Sequence, residues 1–321
     1  IEQDGVRHIF CEAMKPALVT CYVDPDLDGV SGSFAYVEFL QKTGKSAVAG
    51  IFGKPHEEAK YILNRFDIPY PQEFPDAHEF DEVILVDSSD LKGLGNKVSP
   101  PKVIEIIDHR KINDTNAFPN ARIQIELVGA AATLVAEKFI ESNVAISKES
   151  AILLCGGIVS NTLNFKAGVT TDRDREAFEW LNNEAQLPES FWKELFLAKS
   201  DLSGDALSER IQGDFAWFEM GRKKVGIAQI EMIGAKELVM ERELEILQIL
   251  NTIKEERDLD SIFQSTLELE DEKNFFVTDD DEMKKLLEKV LGIEFAYNIA
   301  IREGLIMRKQ IVPLLKAELE V

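Results

Sequence analysis

Short, largely apolar runs alternate with stretches whose apolar residues recur three and four positions apart through the first half of the chain. Ala17–Val23, Val83–Val86 and Val103–Ile107 read as buried strands, and Ser31–Lys42, Pro55–Phe66 and Val128–Glu141 as helices. That alternation, sustained over roughly 180 residues, predicts a doubly wound α/β domain with a parallel sheet. The rhythm changes around Leu187-Pro188-Glu189, where the polar segment Asn182–Ser190 reads as a linker running into a helix at Phe191. Beyond it the pattern predicts strands at Asp214–Glu219, Lys224–Glu231 and Ser261–Leu269, and helices at Ala235–Glu255 and Asp281–Leu291. The expected organisation is therefore a first domain over 1–188 and a smaller mixed α/β domain over 189–321.

Composition narrows the class without changing the fold. With 45% hydrophobic and 29% charged residues the chain is globular, and no uncharged apolar run reaches membrane-spanning length. The stretch Ile1–Phe10 carries Glu2, Asp4 and Arg7 rather than a signal-peptide core, which with the absence of paired cysteine spacing leads to the expectation of a cytoplasmic protein. Cys11, Cys21 and Cys155 read as buried thiols. A net charge of −22 argues against duplex nucleic acid as a partner but leaves room for a small anion bound through a metal.

The chemistry concentrates at strand ends. Asp24-Pro25-Asp26-Leu27-Asp28-Gly29 follows the first strand, Asp87 ends the second, and Asp108-His109 ends the third. In open α/β sheets ligands bind at the carboxyl ends of strands, so these carboxylates converge on one crevice. A divalent cation relieves the repulsion. Carboxylates and one imidazole without thiolates suit manganese or magnesium better than structural zinc. The alternative for Asp24 and Asp28 is service as turn formers and helix caps. His8, His56 and His78 lie in polar stretches and are read as solvated.

These motifs, in this order, resemble the DHH phosphoesterase superfamily, specifically its DHHA2 branch, which contains manganese-dependent family II inorganic pyrophosphatases, exopolyphosphatases and prune-like proteins. Val128-Gly129-Ala130-Ala131-Ala132-Thr133, Ile158–Lys166, Val225–Gln229 and Arg308–Pro313 fall in the expected sequence as well. The resemblance implies Asp26, Asp28, Asp87 and His109 as metal ligands, with Asp87 bridging and Asn161 completing a shell around one or two Mn2+ or Mg2+ ions. It implies Asp87, His109 and Arg110 at the reacting centre, and Arg110, Lys166, Arg308 and Lys309 on the substrate's phosphates. The expected reaction is hydrolysis of pyrophosphate or a short polyphosphate by metal-activated water in the cleft between domains. A homodimer through an edge strand of the first domain is compatible with the resemblance. Five positions depart from the pyrophosphatase pattern: Tyr22 stands where a ligand histidine is expected, Asn161 where an aspartate is, Arg110 where the second histidine of Asp-His-His is, and Ala216 and Met307 where basic residues are. They keep open a nucleotide or other small phosphoester phosphatase, and a non-catalytic metal- or phosphate-binding descendant. A nucleic-acid exonuclease fits the charge least.

Overall fold

The computed structural model describes residues 15–319 apart from 112, 201 and 203–205; Ile1–Phe10, with His8, and Cys11 lie outside the described residues. Two sheets organise the chain. The first is a six-stranded parallel sheet in the order β3 (Gln72–Glu73), β2 (Ala47–Ile51), β1 (Ala17–Thr20), β4 (Val83–Val86), β5 (Val103–Asp108) and β6 (Arg122–Ile125). Strand order reverses between β1 and β4, and that switch point is where a doubly wound sheet opens a crevice. The central strands β1 and β4 are buried along their whole length, which is why they read as unbroken apolar runs.

Helices α1 (Leu27–Lys42), α2 (Glu57–Arg65), α3 (Leu91–Leu94), α4 (Ala131–Glu141), α5 (Lys148–Asn161), α6 (Asp172–Ala185) and α7 (Phe191–Ala198) accompany this sheet. The main core joins β1 and β4 to α1, α4 and α5. Where α5 crosses α1, a Cβ on Gly157 would sit 2.6 Å from Ser31 Oγ and 3.2 Å from Asp28 Oδ1, so the glycine is what lets α5 lie directly beneath Asp28. Helix α7 follows the linker yet buries Phe191, Leu195 and Phe196 in this first core.

After α8 (Ala206–Gly213), the second sheet runs β11 (Phe295–Ala296), β12 (Ile299–Glu303), β10 (Lys273–Val277), β9 (Ser261–Glu268), β8 (Lys223–Met232) and β7 (Phe215–Met220). Its pairings are antiparallel except β8 with β9. A parallel pair needs a crossover, supplied here by α9 (Ala235–Glu241) and α10 (Glu243–Arg257). The single helix expected over Ala235–Glu255 is thus two, broken at Arg242, whose backbone leaves helical geometry at φ −118° and ψ 24°. Helices α8 and α10 cover one face of the sheet, and α11 (Asp281–Leu291) and α12 (Arg308–Leu319) the other. Leu267, Leu269 and Met307 of this second unit pack into the first core. Among the described residues no helix is long and apolar enough to cross a membrane.

Candidate active site

The loop after β1 carries three of the expected groups. Tyr22 accepts a hydrogen bond from the Asp26 amide at 3.1 Å through its hydroxyl, and Asp26 caps α1 by accepting from Gly29 N at 3.0 Å. The helix-capping role considered for Asp24 and Asp28 therefore falls to Asp26; Asp24 instead takes the Lys54 amide at 2.9 Å. Burial, reinforced by the charge of Asp87, pushes the Asp26 carboxyl up to about 6. Asp28 is fully buried in the first turn of α1. Its Oδ1 accepts from Ala132 N at 2.8 Å and its Oδ2 from Ala131 N at 2.7 Å and Asn161 Nδ2 at 2.6 Å. The two backbone donors are the free amides at the start of α4, which face an anion by construction. Even so, burial first and Asp87 second raise the Asp28 carboxyl to about 8.

Asp87 follows β4 with φ +57°, a left-handed conformation that aspartate tolerates and that directs backbone traffic sharply at a strand end. Burial opposes its ionisation, but the Arg110 and His109 charges win and hold its carboxyl below the usual value. Its two oxygens live differently. Oδ2 receives Arg110 Nη2 at 3.2 Å, whereas Oδ1 is buried without a hydrogen-bond partner. His109, after β5, sets Nδ1 3.0 Å from the Val128 carbonyl, so Nδ1 carries the proton and Nε2 points to the carboxylates, 3.4 Å from Asp87 Oδ1 and 3.7 Å from Asp28 Oδ2. Burial lowers the His109 pKa, yet the contact with Asp87 and the charge of Asp28 raise it to about 9. Ligand atoms of Asp28, Asp87 and His109 lie within 4.8 Å of one another. Two carboxylates, an imidazole held at Nδ1 by the Val128 carbonyl with Nε2 toward the acids, and a buried Asp87 oxygen without a hydrogen bond among the described residues fit a hard or borderline divalent cation.

Beneath the cluster, Asp174 organises the turn that supplies its partners. Its carboxylate takes the Gly129 amide on both oxygens, at 3.0 and 2.9 Å, the Thr133 hydroxyl at 2.6 Å, and the Thr171 amide and hydroxyl at 2.7 and 2.8 Å. Residues 128–132 are thereby fixed between Asp174 on one side and His109 and Asp28 on the other. Asp108 performs the same service for its own loop, accepting from Ser89 Oγ and from His109 N at 2.7 Å.

The cluster opens into a cleft of about 890 Å³ between the two units, lined from the first by Tyr22, Asp26, His56 and Arg110 and from the second by Arg308 and Lys309. Arg308 Nη1 donates to the Asp214 carbonyl and to that of Ile227 at 3.2 Å, which anchors the start of α12 at the cleft wall. Desolvation lowers the Lys309 pKa against the pull of Glu231, Asp28, Asp174 and Asp87, so its ammonium senses the carboxylate cluster across the gap. Lys166 is not brought there. Its ammonium donates to the Leu269 carbonyl at 2.8 Å, pairs with Glu272 at 3.1 Å and lies over the Trp192 ring, so it ties the two units together instead of lining the cleft. His56, read as solvated, borders the cleft at the start of α2.

A further set of charges escaped the sequence reading. Lys199 is buried between Glu58 at 3.3 Å and Glu231 at 3.2 Å, and Arg210 pairs with Asp214 at 3.1 Å; all five residues line the cleft. Glu58 belongs to α2, Lys199 follows α7, and Glu231 lies on β8, so the triad spans both units. The only trace in the sequence is a charge on an apolar helical face: Lys199 continues the stripe Phe191, Leu195, and Glu58 the stripe Ile62.

Residues 16–158 match the DHH family N-terminal domain, and residues 193–317 the DHHA2 domain. The chain is 31% identical to a manganese-dependent inorganic pyrophosphatase of Methanothrix thermoacetophila, over 93% of this chain and 97% of that protein. It is 30% identical to a Bacillus cytotoxicus protein named "Probable manganese-dependent inorganic pyrophosphatase", over 94% and 98% of the two chains. Among solved structures, a candidate family II inorganic pyrophosphatase of Methanococcus jannaschii superposes with a TM-score of 0.77 at 28% identity, covering 94% of this chain and 99% of that one.

Proposed function

The chain belongs to the DHH family, in the DHHA2-bearing branch of the manganese-dependent inorganic pyrophosphatases, and from that premise we propose that it is a manganese-dependent hydrolase of a small phosphoanhydride. Inorganic pyrophosphate or a short polyphosphate is the substrate in this reading, and magnesium is the alternative ion. The observation that carries it is Asp87 Oδ1, buried beside Asp28 and 3.4 Å from His109 Nε2 with no hydrogen bond among the described residues, where a cation would complete its surroundings. Bound there, a divalent ion supplies Lewis acidity and acidifies water for attack on phosphorus. Asp28, Asp87 and His109 hold it, Asp26 and Asn161 border it, and Asn161 orients Asp28 through its amide. Arg110 and Lys309 reach the substrate's phosphates, with Arg308 setting the start of α12 beside them. Closure of the two units over the cleft excludes water.

The size of the cleft, with His56, Glu58 and Glu231 in its wall, favours a second reading in which the phosphate is attached to a larger organic group such as a nucleotide. In this reading the reaction takes place in the cytoplasm, which the unpaired Cys21 and Cys155 support, and on a small anion rather than nucleic acid. Exposed Ile123 on the edge strand β6 supports the homodimer contact. The decisive experiment measures phosphate release from pyrophosphate, tripolyphosphate, long polyphosphate and a nucleotide panel with manganese, magnesium or a chelator. Manganese-dependent turnover of pyrophosphate or tripolyphosphate is expected. Turnover confined to nucleotides selects the second reading, and silence across the panel with metal bound rejects both in favour of a non-catalytic ligand binder.

A further inference from the structure

A carboxylate that bridges two ions about 3.5–4 Å apart through both of its oxygens offers one to each. Asp87 is the bridging candidate, and only its Oδ1 is free. Oδ2 is engaged by Arg110 Nη2, which also donates to the Asp87 carbonyl at 2.9 Å. The guanidinium is fixed from its other sides as well: its carbon lies 5.0 Å from the centroid of the Tyr22 ring, and its Nε lies 3.9 Å from Asp108 Oδ1. A neutral phenol is a poor metal ligand but a good face for a guanidinium. The remaining acid on that side, Asp26, spends Oδ1 on the helix cap, and it is not part of the three-residue ligand cluster.

We propose that the site takes a single divalent ion, held by Asp28, His109 and Oδ1 of Asp87, and that the Arg110 guanidinium permanently occupies the cation position on the Oδ2 side of Asp87. The inference rests on the reading of Asp28, Asp87 and His109 as a metal site. Two sequence departures then explain each other. Asn161 removes one negative charge where an acid was expected, and Arg110 in place of a second dication removes one positive charge, so the site stays balanced. Tyr22 is the third piece, a ring on which the guanidinium rests. Among the described residues no hydrogen bond engages Arg110 Nη1, and the residue lines the cleft, so the fixed cation keeps a donor for a phosphate oxygen. Unlike a second metal, it cannot be removed by a chelator or exchanged for another ion.

Counting manganese tests this without reference to turnover. Purified full-length protein is dialysed to equilibrium against manganese chloride, its metal content is measured by plasma emission, and frozen samples are examined by electron paramagnetic resonance. One manganese per chain with the spectrum of an isolated ion is expected. In the variant Tyr22→His/Arg110→His the count should double and the spectrum should become that of a spin-coupled pair. Two ions per wild-type chain, or a folded double variant that still holds one, overturns the proposal. A wild-type chain that binds none fails differently, because it removes the metal site itself and with it the proposed function. The wild-type count decides the matter even if the double variant does not fold.

Discussion

Asp174 is not among the residues lining the cleft, yet the ordering of the proposed metal ligands runs through it, and Asp174→Ala is the sharpest perturbation of that arrangement. The buried carboxylate receives two backbone amides, Gly129 N and Thr171 N, and the hydroxyls of Thr133 and Thr171; Gly129 and Thr133 are buried and Thr171 is half-buried. The hydroxyls can turn to other acceptors, but the amides cannot. Each buried donor left unsatisfied costs about 1–3 kcal/mol, so Asp174→Ala should destabilise the protein by roughly 4 kcal/mol. Asp174→Asn, which keeps one accepting oxygen and presents an N–H where the other was, should lose about half as much. The consequence extends to the metal because the Val128 carbonyl orients His109 and the Ala131 and Ala132 amides hold Asp28. Loss of such supporting contacts typically lowers metal affinity by about 10–100-fold. Urea unfolding in chelator reports the first effect, and manganese titration of the folded Asp174→Asn protein at low temperature reports the second. A variant whose stability stays within about 0.5 kcal/mol of wild type and whose manganese affinity is unchanged would refute the chain of contacts.

Asp87→Ala should abolish manganese binding and reduce turnover to background, checked by dialysis and phosphate release; retained activity would remove Asp87 from the site. Lys199→Met strands Glu58 and Glu231 together in the domain junction and should cost about 3–5 kcal/mol in urea unfolding, with Glu58→Gln/Lys199→Met recovering most of it. Burial raises the Glu58 pKa, but Lys199 and Arg210 outweigh it and hold the carboxyl down at about 2. Because the folded value lies below the ordinary 4.5, the stabilisation is present above that pH and is lost as pH falls toward 2. Urea midpoints measured between pH 6 and 3 should therefore decline in wild type and decline less in Lys199→Met.

What could be read in advance followed burial. β1, β4 and β5 are interior strands with apolar side chains on both faces, so their sequence carries a strong signal. β6, Arg-Ile-Gln-Ile at the sheet edge, is half exposed, and its short alternation carries almost none. The break at Arg242 was hidden because apolar spacing continues across it with neither glycine nor proline to mark it. Asp28, Asp87 and His109 were legible for a topological reason: residues at carboxyl ends of adjacent parallel strands must converge. Lys199, Glu58 and Arg210 were not, since their partners lie in elements that meet only when the two units pack. Lys166 shows the limit of transferring a role by residue type, because a nearby carbonyl and Glu272 claimed its charge.

The three clustered groups come from the first turn of α1 and from just beyond β4 and β5, separated in sequence by tens of residues, so no short unfolded segment gathers them. A cation bound there is therefore a ligand of the native state alone, and mass action makes it a stabiliser of the whole fold. At a hundredfold excess over its dissociation constant it adds about 2.7 kcal/mol to unfolding. On the proposed site, the melting temperature of this chain would report manganese, and scarcity of the ion would deplete the folded protein as well as silence its chemistry.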